Sequence, residues 1–197
     1  LSMALMPTAV QAVEAPTLIS TAIFPDITLK QASNDAIASS VSDYSGVIHG
    51  GLGSDMYHVP GDAPNIFYVI TDRGPNNDTV QADKSKGTGF VVPTFSPLIL
   101  KVALNGSKVE VVESIAIKTK SGAGVTGLPN IKGYDKVPTD ASGVTSDSLY
   151  NLSGLDTEGL IKVNSGQYWV VDEYAPSLAQ LSSTGQVIRR YVPKGWS

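Results

Sequence analysis

Tyr168-Trp-Val-Val-Asp172 is an aromatic residue, three further apolar ones and a closing acid, in a chain of 197 residues. β-branched and aromatic residues in so short a run favour a strand over a helix. Tyr68-Val-Ile-Thr-Asp72 shares the aromatic, an apolar pair and the terminal Asp, and a proline follows each copy, Pro75 and Pro176. Upstream, Gly51-Leu52-Gly53-Ser54-Asp55 aligns with Gly154-Leu155-Asp156-Thr157-Glu158. Each copy therefore spells one hairpin: an acidic lead-in, a Gly/Asn turn, and an aromatic strand ending in Asp. Repetition of such units predicts an all-β protein, a β-propeller of four-stranded antiparallel blades.

Working outward, further short β-type runs lie between clusters of Gly, Pro, Asn, Asp and Ser. They are Leu18–Phe24, Ile66–Thr71, Leu98–Leu104, Lys108–Ile117, Leu160–Val163, Leu178–Leu181 and Val187–Val192. Asn105-Gly106 predicts a two-residue type I′ hairpin, since both central positions of that turn need positive φ. Asn164-Ser165-Gly166 and Ser183-Thr184-Gly185 predict three-residue turns. Helical periodicity is confined to a weak pattern over Leu29–Val41. Gly122 to Asp147 is the least regular stretch, and it reads either as a functional loop or as a surface excursion between blades.

Composition narrows the chemistry. The chain has 14 Lys+Arg against 18 Asp+Glu, a net charge of −4, with 42% hydrophobic residues. It is too apolar and too weakly charged for intrinsic disorder, and without a basic cluster it does not read as a nucleic-acid binder. With no cysteine, disulfides, thiolate zinc sites and cysteine nucleophiles are excluded. A metal would have to use oxygen ligands or the two histidines, which points to calcium or magnesium. Residues 1–15, LSMALMPTAVQAVEA, resemble the tail of a signal peptide with small-x-small cleavage positions. That implies a secreted or periplasmic protein whose domain occupies residues 16–197. No stretch reaches the length of a membrane span.

Three linked blocks resemble the phytase-like domain family, known for an "esterase-like activity of phytase". They are Gly50-Gly51-Leu52 with Thr71-Asp-Arg-Gly-Pro-Asn76; Ser153-Gly-Leu-Asp-Thr-Glu-Gly159 with Gly166-Gln-Tyr-Trp-Val-Val-Asp-Glu-Tyr-Ala-Pro-Ser177; and Gly185-Gln-Val-Ile-Arg-Arg-Tyr-Val-Pro193. The family's usual Ser-Gly is replaced by Gly53-Ser54. The resemblance implies an extracytoplasmic propeller of which this chain is about half the ring, exposing an unpaired apolar blade edge. Its implied partners are the remaining part of the same propeller or a second copy, together with a small phosphorylated or ester substrate.

Asp55, Asp72, Glu158, Asp172 and Glu173 fall at strand starts and ends, where blade loops gather at the channel mouth. Carboxylates converging there repel unless a cation joins them, so these five are the expected ligands of calcium. Asp72 and Asp172 read equally as turn caps accepting from backbone N–H groups. Glu158, with no helix to cap, reads as channel-facing and catalytic. Arg73 is the expected anion contact, because its planar fork suits phosphate, or else it pairs with Glu173 or Asp172. Arg189 and Arg190 read as a solvated strand end. His49 and His58 lack a triad pattern, and without G-x-S-x-G no serine-esterase elbow is present. By resemblance the expected activity is calcium-dependent phosphoester hydrolysis; the alternative is a non-catalytic propeller binding a ligand, ion or partner.

Overall fold

The computed structural model describes residues 15–24, 52–81 and 83–195. It is all-β. Four antiparallel strands, β1 (Leu52–Tyr57), β2 (Ile66–Thr71), β5 (Leu98–Asn105) and β6 (Lys108–Ala116), form a first sheet in that order. A second sheet runs β8 (Thr157–Lys162), β9 (Tyr168–Asp172), β10 (Ser177–Leu181) and β11 (Val187–Tyr191), again entirely antiparallel. Between β2 and β5 the chain detours through β3 (Asn76–Val80) and β4 (Lys86–Phe90), and β7 (Val137–Asp140) pairs with β4 in parallel to complete a third sheet. Among the described residues there is no α-helix, only a 3-10 turn at Asp147–Leu149, and no closed ring.

The two four-stranded sheets pack face to face. Tyr68, Ile70, Ile99 and Ile115 of the first meet Leu160, Tyr168, Val170, Ala179 and Leu181 of the second in one buried cluster. Full burial of each such side chain contributes about 1.5–3 kcal/mol, so this interface is a principal source of stability. The opposite face of the first sheet is covered by Val92 and Phe95 from its own inserted loop, against Val69, Leu98, Leu100 and Val102.

The turns follow from their glycines, with one change. Asn105 pairs with Lys108, so the central residues of that hairpin are Gly106 and Ser107. Only Gly106 (φ 62°) is left-handed, which makes the turn II′-like rather than I′. The two three-residue turns close as expected, through Gly166 N–H to Val163 C=O (2.8 Å) and Gly185 N–H to Ser182 C=O (3.1 Å).

Leu18–Phe24 is not a strand; it makes an isolated bridge, Ile23 to Lys108. Conversely, β1, β3, β4 and β7 lack the apolar runs that would announce them. The irregular stretch at 122–147 contains β7 and sends Val125, Leu128 and Asn130 into the interior. The signal-peptide residues 1–14 and the pattern over Leu29–Val41 lie outside the described residues.

The sequence repeat is out of step with the structural one by a single residue. In the first sheet a bulge separates the pairs Leu52–Thr71 and Asp55–Ile70; in the second it separates Thr157–Asp172 and Gly159–Val171. Overlaying the bulges aligns Thr71 with Asp172 and Tyr68 with Trp169. A slip of one residue turns a strand's side chains to the other face. Tyr68 and Tyr168 therefore meet across the interface, ring centres 5.9 Å apart, instead of occupying equivalent places.

Candidate metal and anion site

The polar centre lies where β2 and β9 end and β8 begins. Asp72 leaves β2 and folds back, its Oδ1 accepting from Gly74 N–H at 2.8 Å. Gly74 has φ +94°, and a Cβ there would stand 2.2 Å from the Phe95 ring, so only glycine makes this turn. The turn delivers Arg73 to Asp156. Arg73 N–H donates to Asp156 Oδ1 at 3.1 Å, and its guanidinium is ion-paired with Asp156 Oδ2. Gly127 backs this contact: a Cβ on it would lie 1.8 Å from the Arg73 carbonyl oxygen. Tyr174 closes the side, with its ring centre 5.9 Å from the guanidinium carbon and its hydroxyl donating to Gly127 C=O at 3.1 Å.

Asp172 is the keystone beneath. Its Oδ1 accepts from the N–H groups of Asp156 (2.8 Å) and Tyr174 (3.2 Å), and its Oδ2 accepts from Ser177 Oγ (2.8 Å) and is ion-paired with Arg190. Glu173 N–H donates to Asp156 C=O at 2.8 Å. The start of β8 is thereby tied to the turn after β9, which brings three carboxylates together. Asp156, Glu158 and Glu173 each place a ligand oxygen within 4.8 Å of the others, Asp156 buried and the two glutamates exposed. This group could hold a metal ion, and a hard cation fits an all-carboxylate donor set.

The electrostatics reflect that crowding. Burial, together with Glu158, Asp72 and Glu173, outweighs Arg73 and pushes the Asp156 carboxyl up to about 7. Burial and neighbouring Glu173 raise Glu158, although hydrogen bonding with Ser54 opposes this. Burial raises Asp72 against the Gly74 hydrogen bond and Arg73. Burial likewise raises Asp172 in spite of Arg190. A cation among these groups would reverse the trend, because it favours the ionised form of each.

The expected site residues thus divide. Glu158 and Glu173 come together with Asp156. Asp72 and Arg73 adjoin them, but Asp72 caps its own turn, and Arg73 pairs with neither Glu173 nor Asp172 but with Asp156. Both oxygens of Asp172 are engaged by the fold. Asp55 lies elsewhere on the sheet interface, its Oδ2 accepting from Leu160 N–H at 2.7 Å and so strapping β1 to β8. Arg190 is no solvated strand end: besides Asp172 it donates through Nε to Ser177 Oγ (2.7 Å) and through Nη1 to Leu152 C=O (3.3 Å). Sequence reasoning missed Asp156, although it stands inside the D-x-E-G block; its role shows only once burial and Arg73 are placed beside it.

The phytase-like family, described by its esterase-like activity of phytase, matches residues 48–197, and the chain belongs to it. A protein of Arthroderma benhamiae, named only as an uncharacterized secreted protein, is 26% identical over an alignment of 188 positions that covers 80% of this chain. The match covers 35% of that relative, so the chain spans about a third of its length. No solved structure is significantly similar.

Proposed function

We propose that the protein is a secreted or periplasmic phosphoester hydrolase dependent on calcium, with metal and substrate meeting at Asp156, Glu158 and Glu173. The observation that carries this reading is the group of three carboxylates with exposed glutamates on one side and the Arg73 guanidinium on the other. Bound calcium would supply Lewis acidity to a phosphoryl oxygen and lower the pKa of an attacking water. Glu158 and Glu173, both exposed, would hold the cation together with Asp156, which also pairs with Arg73. Arg73 stays partly exposed beside its pair with Asp156, and its guanidinium is a donor suited to charge developing on the phosphoryl group. Asp72 and Asp172 act one step back, shaping the turns that present Arg73 and Asp156.

The architecture we read is a propeller. Overlay of the bulges makes the exposed face of the second sheet, with Ile161, Trp169, Val171 and Leu178, the counterpart of the covered face of the first, with Tyr57, Tyr68, Ile70 and Ile99. A further sheet of the same kind packing there would extend the ring, and the greater length of the secreted relative supports it.

A second reading, an extracytoplasmic module that binds an ion or ligand without catalysis, is favoured by the scarcity of cations: among the described residues Arg73 is the cation that acts on Asp156 and Glu158. Assay of the natural-length protein on aryl phosphates and phytate, with calcium or chelator, separates the two. Turnover that needs calcium and is lost in Glu158→Gln supports the hydrolase. Calcium raising Tm without turnover on any substrate leaves the binding module.

A further inference from the structure

Glu158 is exposed in the carboxylate group. An exposed glutamate left to itself samples many rotamers, so fixing its carboxylate costs entropy. What stands beside it follows from two bulges. In β8 the extra residue between the pairs Thr157–Asp172 and Gly159–Val171 is Glu158 itself. In β1 the extra residues between the pairs Leu52–Thr71 and Asp55–Ile70 are Gly53 and Ser54. A bulge re-aims the side chain it carries, and β1 and β8 are the edge strands along which the two sheets meet. Asp55 sets their alignment. Its Oδ2 accepts from Leu160 N–H at 2.7 Å and lies 4.0 Å from where a Cβ on Gly159 would stand. With Asp55 against Gly159 and Leu160, the residue before it falls beside Glu158. That residue is Ser54, half-buried, and its hydroxyl hydrogen-bonds the Glu158 carboxylate. Gly53 makes the bulge possible, because its φ of +95° lies in the left-handed region.

We propose that Ser54 is a positioning residue that orients Glu158 toward the cation, an inference that rests on the metal reading above. The Ser54 hydroxyl donates to one carboxylate oxygen and leaves the other for the ion. Being uncharged, it orders Glu158 without cancelling the negative charge that attracts a cation. Asp156 differs in this respect, since its own charge is shared with Arg73. Hydrogen-bond partners of metal ligands typically govern affinity by about 10–100-fold. The first sheet thereby takes part in a site whose three carboxylates all come from the start of β8 and the turn after β9.

Calorimetric titration with calcium alone, on the natural-length protein and on Ser54→Ala and Ser54→Thr, tests this without any turnover. Ser54→Ala is expected to weaken calcium binding about tenfold. Ser54→Thr, which keeps the hydroxyl, is expected to restore most of that affinity. Melting of all three in chelator, where no metal contributes, is expected to agree within about 2 °C, which separates a role in the site from a role in the fold. Ser54→Ala binding calcium as tightly as the unaltered protein would overturn the positioning role and leave the metal site standing. Equal losses in Ser54→Ala and Ser54→Thr would overturn it too, because the hydroxyl would then not be the cause. Calcium failing to bind the unaltered protein would overturn the metal reading and this inference with it.

Discussion

Asp172 shows how one side chain can fix the place of its neighbours. Its two oxygens satisfy Asp156 N–H, Tyr174 N–H, Ser177 Oγ and Arg190, so the position of Asp156 depends on it. Truncating one member of a buried ion pair typically costs about 3–5 kcal/mol, because the other charge is left uncompensated. Asp172→Ala is expected to lose that much in urea unfolding; a loss under about 1 kcal/mol, the scale of a surface ion pair, would show that Arg190 finds water instead. At this scale the sequence was half legible. Acidic residues at strand ends were visible from the repeat, and so was the turn-capping option for Asp72 and Asp172. Which acids meet was not, because that depends on contacts between residues 83 positions apart, such as Arg73 and Asp156.

Among the elements, the apolar strands β2, β5, β6 and β9 were legible because their alternation and β-branched content match a half-buried sheet. β3 and β4 were not. Asn76–Val80 is polar, and Lys86–Phe90 carries Gly87 and Gly89, residues that weaken a strand by propensity. Space favours them: a Cβ on Gly89 would lie 3.0 Å from the Asp140 carbonyl oxygen, and one on Gly87 would lie 2.9 Å from the Val137 carbonyl oxygen. Two glycines separate backbone strain from close approach. Gly106 has open space around its missing Cβ and only a positive φ of 62°, so Gly106→Ala is expected to cost about 1 kcal/mol. A Cβ added to Gly127 would lie 1.8 Å from the Arg73 carbonyl oxygen, and relief requires backbone movement beneath the site. Gly127→Ala should cost several times as much, about 3 kcal/mol or more. Equal midpoints for the two variants in chemical denaturation would contradict this placement of the 122–130 segment.

For the whole molecule, the repeat announced two similar sheets, and the one-residue slip hid how they face each other: a pattern of period two cannot tell which face of a strand its partner covers. The carboxylates also set a pH dependence. Folded Asp156 binds its proton up to about pH 7 whereas its ordinary value is 3.8, and Asp72, Glu158 and Asp172 shift the same way. Between these values the native state holds more protons than the unfolded chain, so stability contributed by this centre is full below pH 3.8 and is lost as pH rises through about 7. The exposed turns at Asp83 and Asp140, whose carboxyls are lowered by Ser85 and Ser142, act in the opposite sense. Melting in chelator should therefore weaken from mildly acidic to neutral pH, and calcium should flatten that fall by favouring the ionised carboxylates. The most direct test of the carboxylate centre is calcium titration of Tm at neutral pH for the unaltered protein and for Glu158→Gln. The account predicts a saturable rise in the first and a rise at least about 2 °C smaller, on the order of 1 kcal/mol, in the second. Identical rises in both, or none in either, would contradict a metal site at Asp156, Glu158 and Glu173.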